Sequence, residues 1–195
     1  MGNDFITVVS GLPRSGTSLM MQMLAAGGVP PITDNIRRAD SSNPRGYFEF
    51  EAVKKLRTDK SWLELARGHA VKIIHALVRE LPTDGRFEYR VLLMKRPIEE
   101  VLASQRAMLA RSGKSSGDDA TLARVYGAQL QELEQWLATQ RQFACLPVAH
   151  QRVLEEPLRV GGEINQFLGG KLDVDAMAAA VDPLLYRQRL VPKPR

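Results

Sequence analysis

The most constraining feature of the chain is its first twenty-six residues. Phe5-Ile-Thr-Val-Val-Ser10 is a short β-branched run, closed by Gly11 and Pro13. Such a run bounded by turn residues reads as a buried strand. A helix rich in Leu and Met follows from Thr17 to Ala26, and Gly27-Gly28 stops it. Strand, tight glycine turn and helix in immediate succession open a βα unit. The turn, Gly11-Leu-Pro-Arg-Ser-Gly-Thr-Ser18, concentrates two glycines, three hydroxyls and one guanidinium. Glycine lets backbone approach a ligand, and the free N–H groups of a helix start point at an anion along the helix dipole. Ser15, Thr17 and Ser18 add hydroxyl donors, Gly16 the backbone turn, and Arg14 the positive charge. A plain βα turn with a Ser or Thr helix cap is the competing reading of the same residues.

The rest of the chain repeats the alternation. Residues 29 to 46, with three prolines, read as a long loop, and loops of that length commonly serve as lids or binding loops. Glu49 to Arg67 shows helical spacing of its apolar residues. Ala70 to Ile74 is a second short strand, followed by a brief helix ending near Leu81-Pro82. Tyr89 to Met94 is the clearest strand after the first. Pro97, Glu99 and Glu100 then suit the first turn of a helix that runs to about Arg111. A polar loop at 112 to 119, a long amphipathic helix from Ala120 to Arg141, a fourth strand at Leu146 to Ala149 and a helix from Leu158 to Leu168 complete the pattern. Alternating strands and helices imply an α/β fold, three-layered around a central parallel sheet. Ligands of such sheets bind beyond the carboxyl ends of the strands. With 195 residues the expectation is one domain, 1 to 195.

Composition narrows the function. Hydrophobic residues at 44% and charged residues at 25% are those of a folded globular chain, not a disordered or coiled-coil one. No apolar run approaches the roughly 20 residues that span a bilayer, and no secretory signal opens the chain, so a cytoplasmic protein without a membrane partner is expected. One cysteine, Cys145, and three histidines argue against a disulfide framework and against a metal site. The net charge of +5 implies an acidic ligand, but no basic helix face with interleaved aromatics points to nucleic acid. The Met20, Met21 and Met23 cluster is read as core, and Cys145, among apolar neighbours, as buried and inert.

Two details separate the anion-binding readings. The nucleoside-triphosphate loop G-x-x-x-x-G-K-[ST] needs Lys after its second glycine, whereas Thr17 stands there and the base has moved to Arg14. In addition, Lys95-Arg-Pro-Ile-Glu-Glu-Val-Leu-Ala-Ser104 places Arg96 at a strand end and Ser104 eight residues on. Arg offers a planar fork to anion oxygens.

On these residues the chain resembles the sulfotransferase superfamily over residues 5 to 106, in its bacterial and tyrosylprotein branches above all. The resemblance implies a P-loop nucleoside-triphosphate-hydrolase-like fold and the cofactor 3′-phosphoadenosine 5′-phosphosulfate (PAPS), leaving as the bisphosphate PAP. It implies that Pro13-Arg-Ser-Gly-Thr-Ser18 wraps the 5′-phosphosulfate and that Arg96 and Ser104 hold the 3′-phosphate. Asn43-Pro-Arg-Gly-Tyr-Phe-Glu49 resembles the N-P-x-G-[YFW]-x-E segment of bacterial members. Glu49 is then a candidate base for the acceptor, with Glu51 and His75 as alternatives, or simply a helix cap. Lys72 matches a Lys that stabilises the transferring sulfuryl group. The implied activity is transfer to a hydroxyl or amine of a small-molecule or peptide acceptor, without a metal. His150-Gln-Arg-Val-Leu-Glu-Glu-Pro157 keeps the frame of a Tyr-Glu-Asp-Leu segment of relatives but not its leading acids. Pro183-Leu-Leu-Tyr-Arg187 resembles a C-terminal feature of bacterial members, with Arg187 or Arg189 as a nucleotide contact. A divergent P-loop kinase or NTPase, and a non-catalytic nucleotide-binding module of the same fold, are the competing readings.

Overall fold

A computed structural model of the protein describes residues 4–34, 36, 46–111, 113 and 117–182. Arg187, Arg189, most of the loop between 35 and 45 and part of the polar loop at 112 to 116 lie outside the described residues.

Four strands, β1 (Ile6–Gly11), β2 (Ala70–Lys72), β3 (Tyr89–Lys95) and β4 (Phe143–Ala149), form one sheet in the order β2-β1-β3-β4. Every pairing is parallel, with Val9 opposite Lys72, Gly11 opposite Met94 and Lys95 opposite Ala149. The carboxyl ends of all four strands therefore share one edge.

The period-two alternation of the strands sorts their side chains into two cores. Ile6, Val8, Val71, Val91, Leu93 and Phe143 face a cluster completed by Leu133 and Leu137 of helix α3 (Asp119–Thr139) and by Val53, Leu56, Trp62 and Leu63. On the opposite face, Val9, Leu92, Met94 and Val148 pack against Met20, Met21, Met23 and Leu24 of α1 (Thr17–Ala26). That second core also takes Val153 of α4 (His150–Glu155), Val160 and Ile164 of α5 (Pro157–Phe167) and Met177 of α6 (Val174–Ala179). Helices on both faces of a parallel sheet make the three layers read from the sequence, and the Met cluster is core.

Local outcomes differ from the sequence reading in a few places. Glu49 to Arg67 does not form one helix: it breaks into two 3₁₀ turns, Glu51–Lys55 and Ser61–Ala66. Asp59 explains the break, because its carboxylate accepts both the N–H (3.0 Å) and the hydroxyl (2.7 Å) of Ser61 and stops helical propagation. His75–Glu80 is likewise a 3₁₀ turn. β4 begins at Phe143, earlier than the Leu146 start read from sequence, and carries Pro147 opposite Leu93. Pro is tolerated there because β4 is the edge strand. Tyr89 stacks on Phe143 across the β3–β4 pair, with ring centroids 4.5 Å apart, and fixes that early register. Helix α2 (Ile98–Arg111) starts one residue after Pro97, as expected.

Among the described residues no helix is long and apolar enough to cross a membrane.

Candidate functional site

The turn between β1 and α1 has an unusual backbone. Arg14 sits at φ 69° and Gly16 at φ 100°, both left-handed. Gly16 caps α1 without any side-chain hydrogen bond, which leaves the first-turn N–H groups of the helix open to an anion. The two glycines are required by contact as well as by conformation. A Cβ at Gly11 would lie 2.5 Å from the Ser15 hydroxyl and 2.8 Å from the Met94 carbonyl oxygen. A Cβ at Gly16 would lie 2.4 Å from Cδ2 of His150. The loop is thus pressed onto β3 and onto the start of α4.

Around this loop the structure gathers two clusters. In the first, Nε of Arg14 donates to the Ser104 hydroxyl at 3.1 Å, and Nη1 of Arg96 donates to the Arg14 carbonyl at 3.0 Å. Nε of Arg96 also donates to Glu100 Oε2 at 2.9 Å, and the two side chains are only 7% and 6% exposed. Arg14, Arg96 and Ser104, which lie up to 90 positions apart in the sequence, therefore form one connected group at the sheet edge. The Ser15 hydroxyl is turned inward, buried against Gly11. Its N–H closes the loop on the Leu12 carbonyl at 3.2 Å.

In the second cluster, the Lys72 ammonium lies 3.6 Å from Glu49 Oε1 and donates to the Tyr47 carbonyl. The same carbonyl accepts the Ser18 hydroxyl at 3.4 Å. Lys72 also stands 5.9 Å from the centroid of the Tyr47 ring. The segment carrying Glu49 is strapped down from below. Thr33 donates its hydroxyl to the Glu49 carbonyl at 3.0 Å, and the Asp34 carboxylate accepts the Glu51 N–H at 2.5 Å. Backbone N–H donors hold that Asp34 carboxyl below the usual range. The other two candidate bases point elsewhere. His75 bonds Gln129 of α3 at 2.8 Å, and Glu51 pairs with exposed Lys54.

His150 and Glu100 are members of the site that sequence reasoning did not assign. Burial, reinforced by the nearby Arg96 charge and opposed by Glu100, pushes His150 down to about 4, so its ring is neutral at physiological pH. A signal for Glu100 was present in the i,i+4 spacing from Arg96, and one for His150 in its place at the end of β4. Beside Arg96, a cavity of about 680 Å³ opens between Pro97, Gly127, Gln131, Ala149 and Gln151. Lys95 pairs with Glu134 at its rim. No group of three or more His, Cys, Asp or Glu residues able to hold a metal ion occurs among the described residues.

The residues present fit a phosphate-bearing ligand, since open helix N–H groups, a glycine cradle and two guanidiniums meet at one strand edge. No protein-family model matches the chain, and no curated protein matches it in sequence. Solved structures do. The sulfotransferase domain from the curacin biosynthetic pathway aligns with a TM-score of 0.55 at 14% identity, covering 100% of this chain and 94% of that one. The sulfotransferase domain from the olefin synthase of Synechococcus PCC 7002 aligns with a TM-score of 0.57 at 15% identity, covering 99% of this chain and 90% of that one. Strand order, parallel pairing and near-complete mutual coverage lead to one conclusion: this chain has the sulfotransferase fold.

Proposed function

We propose that the protein is a sulfotransferase that moves a sulfuryl group from PAPS to a hydroxyl or amine of a small-molecule or peptide acceptor. The observation that carries this reading is that one loop joins both clusters. Arg14 reaches Ser104 on one side, and Ser18 shares the Tyr47 carbonyl with Lys72 on the other. A phosphate-binding group and a carboxylate–ammonium pair thus flank the same helix N-terminus.

When bound, PAPS supplies the activated sulfuryl group and a phosphate leaving group. Arg14, the N–H groups opening α1 and the Thr17 hydroxyl bind the 5′ end and stabilise charge that builds there. Arg96 and Ser104 hold the 3′-phosphate, so that position contributes a large part of the rate. Glu49 accepts the proton of the attacking acceptor. Lys72, 3.6 Å from Glu49 Oε1, fixes that carboxylate and would stabilise the transferring sulfuryl group. Thr17 in place of the P-loop Lys disfavours a kinase or NTPase.

The test is parallel calorimetric titration with PAP and with Mg²⁺–ATP. Binding of PAP, with Mg²⁺–ATP weaker by tenfold or more, supports the reading; the reverse order overturns it.

A further inference from the structure

Glu99 and Glu100 both occupy the first turn of α2, where an acid suits the helix dipole. Only Glu99 is exposed; Glu100 is 5% exposed. The dipole accounts for an exposed acid. It does not account for a buried one, because removing a carboxylate from water is costly without a partner. Arg96 is such a partner, itself a member of the anion-binding group and itself buried. Buried ion pairs seldom add net stability over apolar packing, so a buried pair at this place calls for a role in the site. The same guanidinium holds the left-handed Arg14 through its carbonyl. A ligand phosphate arriving at Arg96 and Ser104 would meet the Arg96 guanidinium already engaged by a negative group.

Resting on the anion-site reading, we propose that Glu100 is a built-in counter-anion. It holds Arg96 in place before a ligand phosphate arrives. By competition for the guanidinium and by repulsion, it sets how tightly that phosphate is then held. Glu100 is a positioning residue in this scheme, acting through Arg96 and, by its charge, on the incoming phosphate. Its consequence is restrained affinity, which favours release of a bisphosphate product.

The experiment measures PAP and inorganic pyrophosphate affinity by calorimetry for the wild type, Glu100→Gln and Glu99→Gln. Glu100→Gln is expected to bind PAP at least tenfold more tightly and to show a larger PAP-induced rise in Tm. Glu99→Gln, with the same change of charge on the exposed neighbour, is expected to stay within threefold of wild type. Equal or weaker PAP binding by Glu100→Gln overturns the proposal, as does an equal gain in Glu99→Gln. If Glu100→Gln does not fold, the comparison moves to Arg96→Gln against Arg96→Gln/Glu100→Gln. Removing the acid from the first is expected to recover PAP affinity at least fivefold, and no recovery overturns the proposal. A wild type that binds pyrophosphate but not PAP refutes the cofactor reading, and the Glu100 comparison is then read with pyrophosphate. A wild type that binds neither overturns both.

Discussion

Gly16→Ala tests the loop architecture directly, because the structure supplies both parts of its cost. At φ 100° an L side chain is strained, by about 1–2 kcal/mol. The new methyl would also lie 2.4 Å from Cδ2 of His150, 3.3 Å from its Nε2 and 3.3 Å from Cε of Met94. Forcing those buried groups apart costs about 1–3 kcal/mol. Mid-range values give about 3.5 kcal/mol, or a Tm lower by about 7–14 °C for a chain of this size. Gly28→Ala is the matched control, since Gly28 has φ 96° with nothing within 4 Å of its Cβ position. It bears the conformational part alone, about 1–2 kcal/mol. The assay is urea and thermal unfolding of both variants, repeated in a His150→Ala background. There the cost of Gly16→Ala should drop by about 1–3 kcal/mol as the ring contact disappears. If Gly16→Ala costs no more than Gly28→Ala, or costs the same with and without the His150 ring, the packing of the loop on α4 is refuted.

Three further outcomes follow from the same structure. His150 sits near 4 when folded against 6.5 as a free side chain, so on acidification the unfolded chain takes the proton first. Its contribution is complete above about pH 6.5 and is lost as pH falls toward 4, on the order of 3 kcal/mol; unfolding free energies across that window should show this slope in wild type and not in His150→Gln. Cys145 is partly rather than fully buried, contrary to the expectation from its apolar neighbours, yet desolvation still pushes its thiol up to about 11, so it should react with a thiol reagent at pH 7.5 at least tenfold more slowly than a free cysteine, a ratio that stopped-flow labelling reads. Glu49→Gln should lower kcat by about a hundredfold or more while PAP affinity measured by calorimetry stays within threefold of wild type.

What the sequence disclosed and what it withheld divide along a physical line. β1, the glycine loop and α1 were legible because their determinants are local: β-branched residues, Gly11 and Gly16, and the Gly27-Gly28 stop. β3, Arg96 and α2 were legible for the same reason, with Pro97 marking the helix start. The segment from Glu49 to Arg67 was misjudged because helical spacing of apolar residues also serves two 3₁₀ turns, and Asp59 decides between them through a side-chain contact. The proximity of Glu49 to Lys72 has no sequence signature, since it depends on β2 pairing beside β1 and on Thr33 and Asp34 strapping the intervening segment. The inward turn of Ser15 and the burial of Glu100 are likewise products of packing. His75 could be set apart from Glu49 only once its bond to Gln129 was visible.

The measurement that bears most directly on the proposed activity is transfer of radiolabelled sulfur from PAPS to a panel of hydroxyl and amine acceptors, with wild type, Glu49→Gln and Arg14→Ala side by side. The account predicts labelled acceptor and stoichiometric PAP from the wild type, and loss of both in each variant. Labelled product formed equally by all three proteins, or PAP bound by the wild type without transfer to any acceptor of either class, would contradict it.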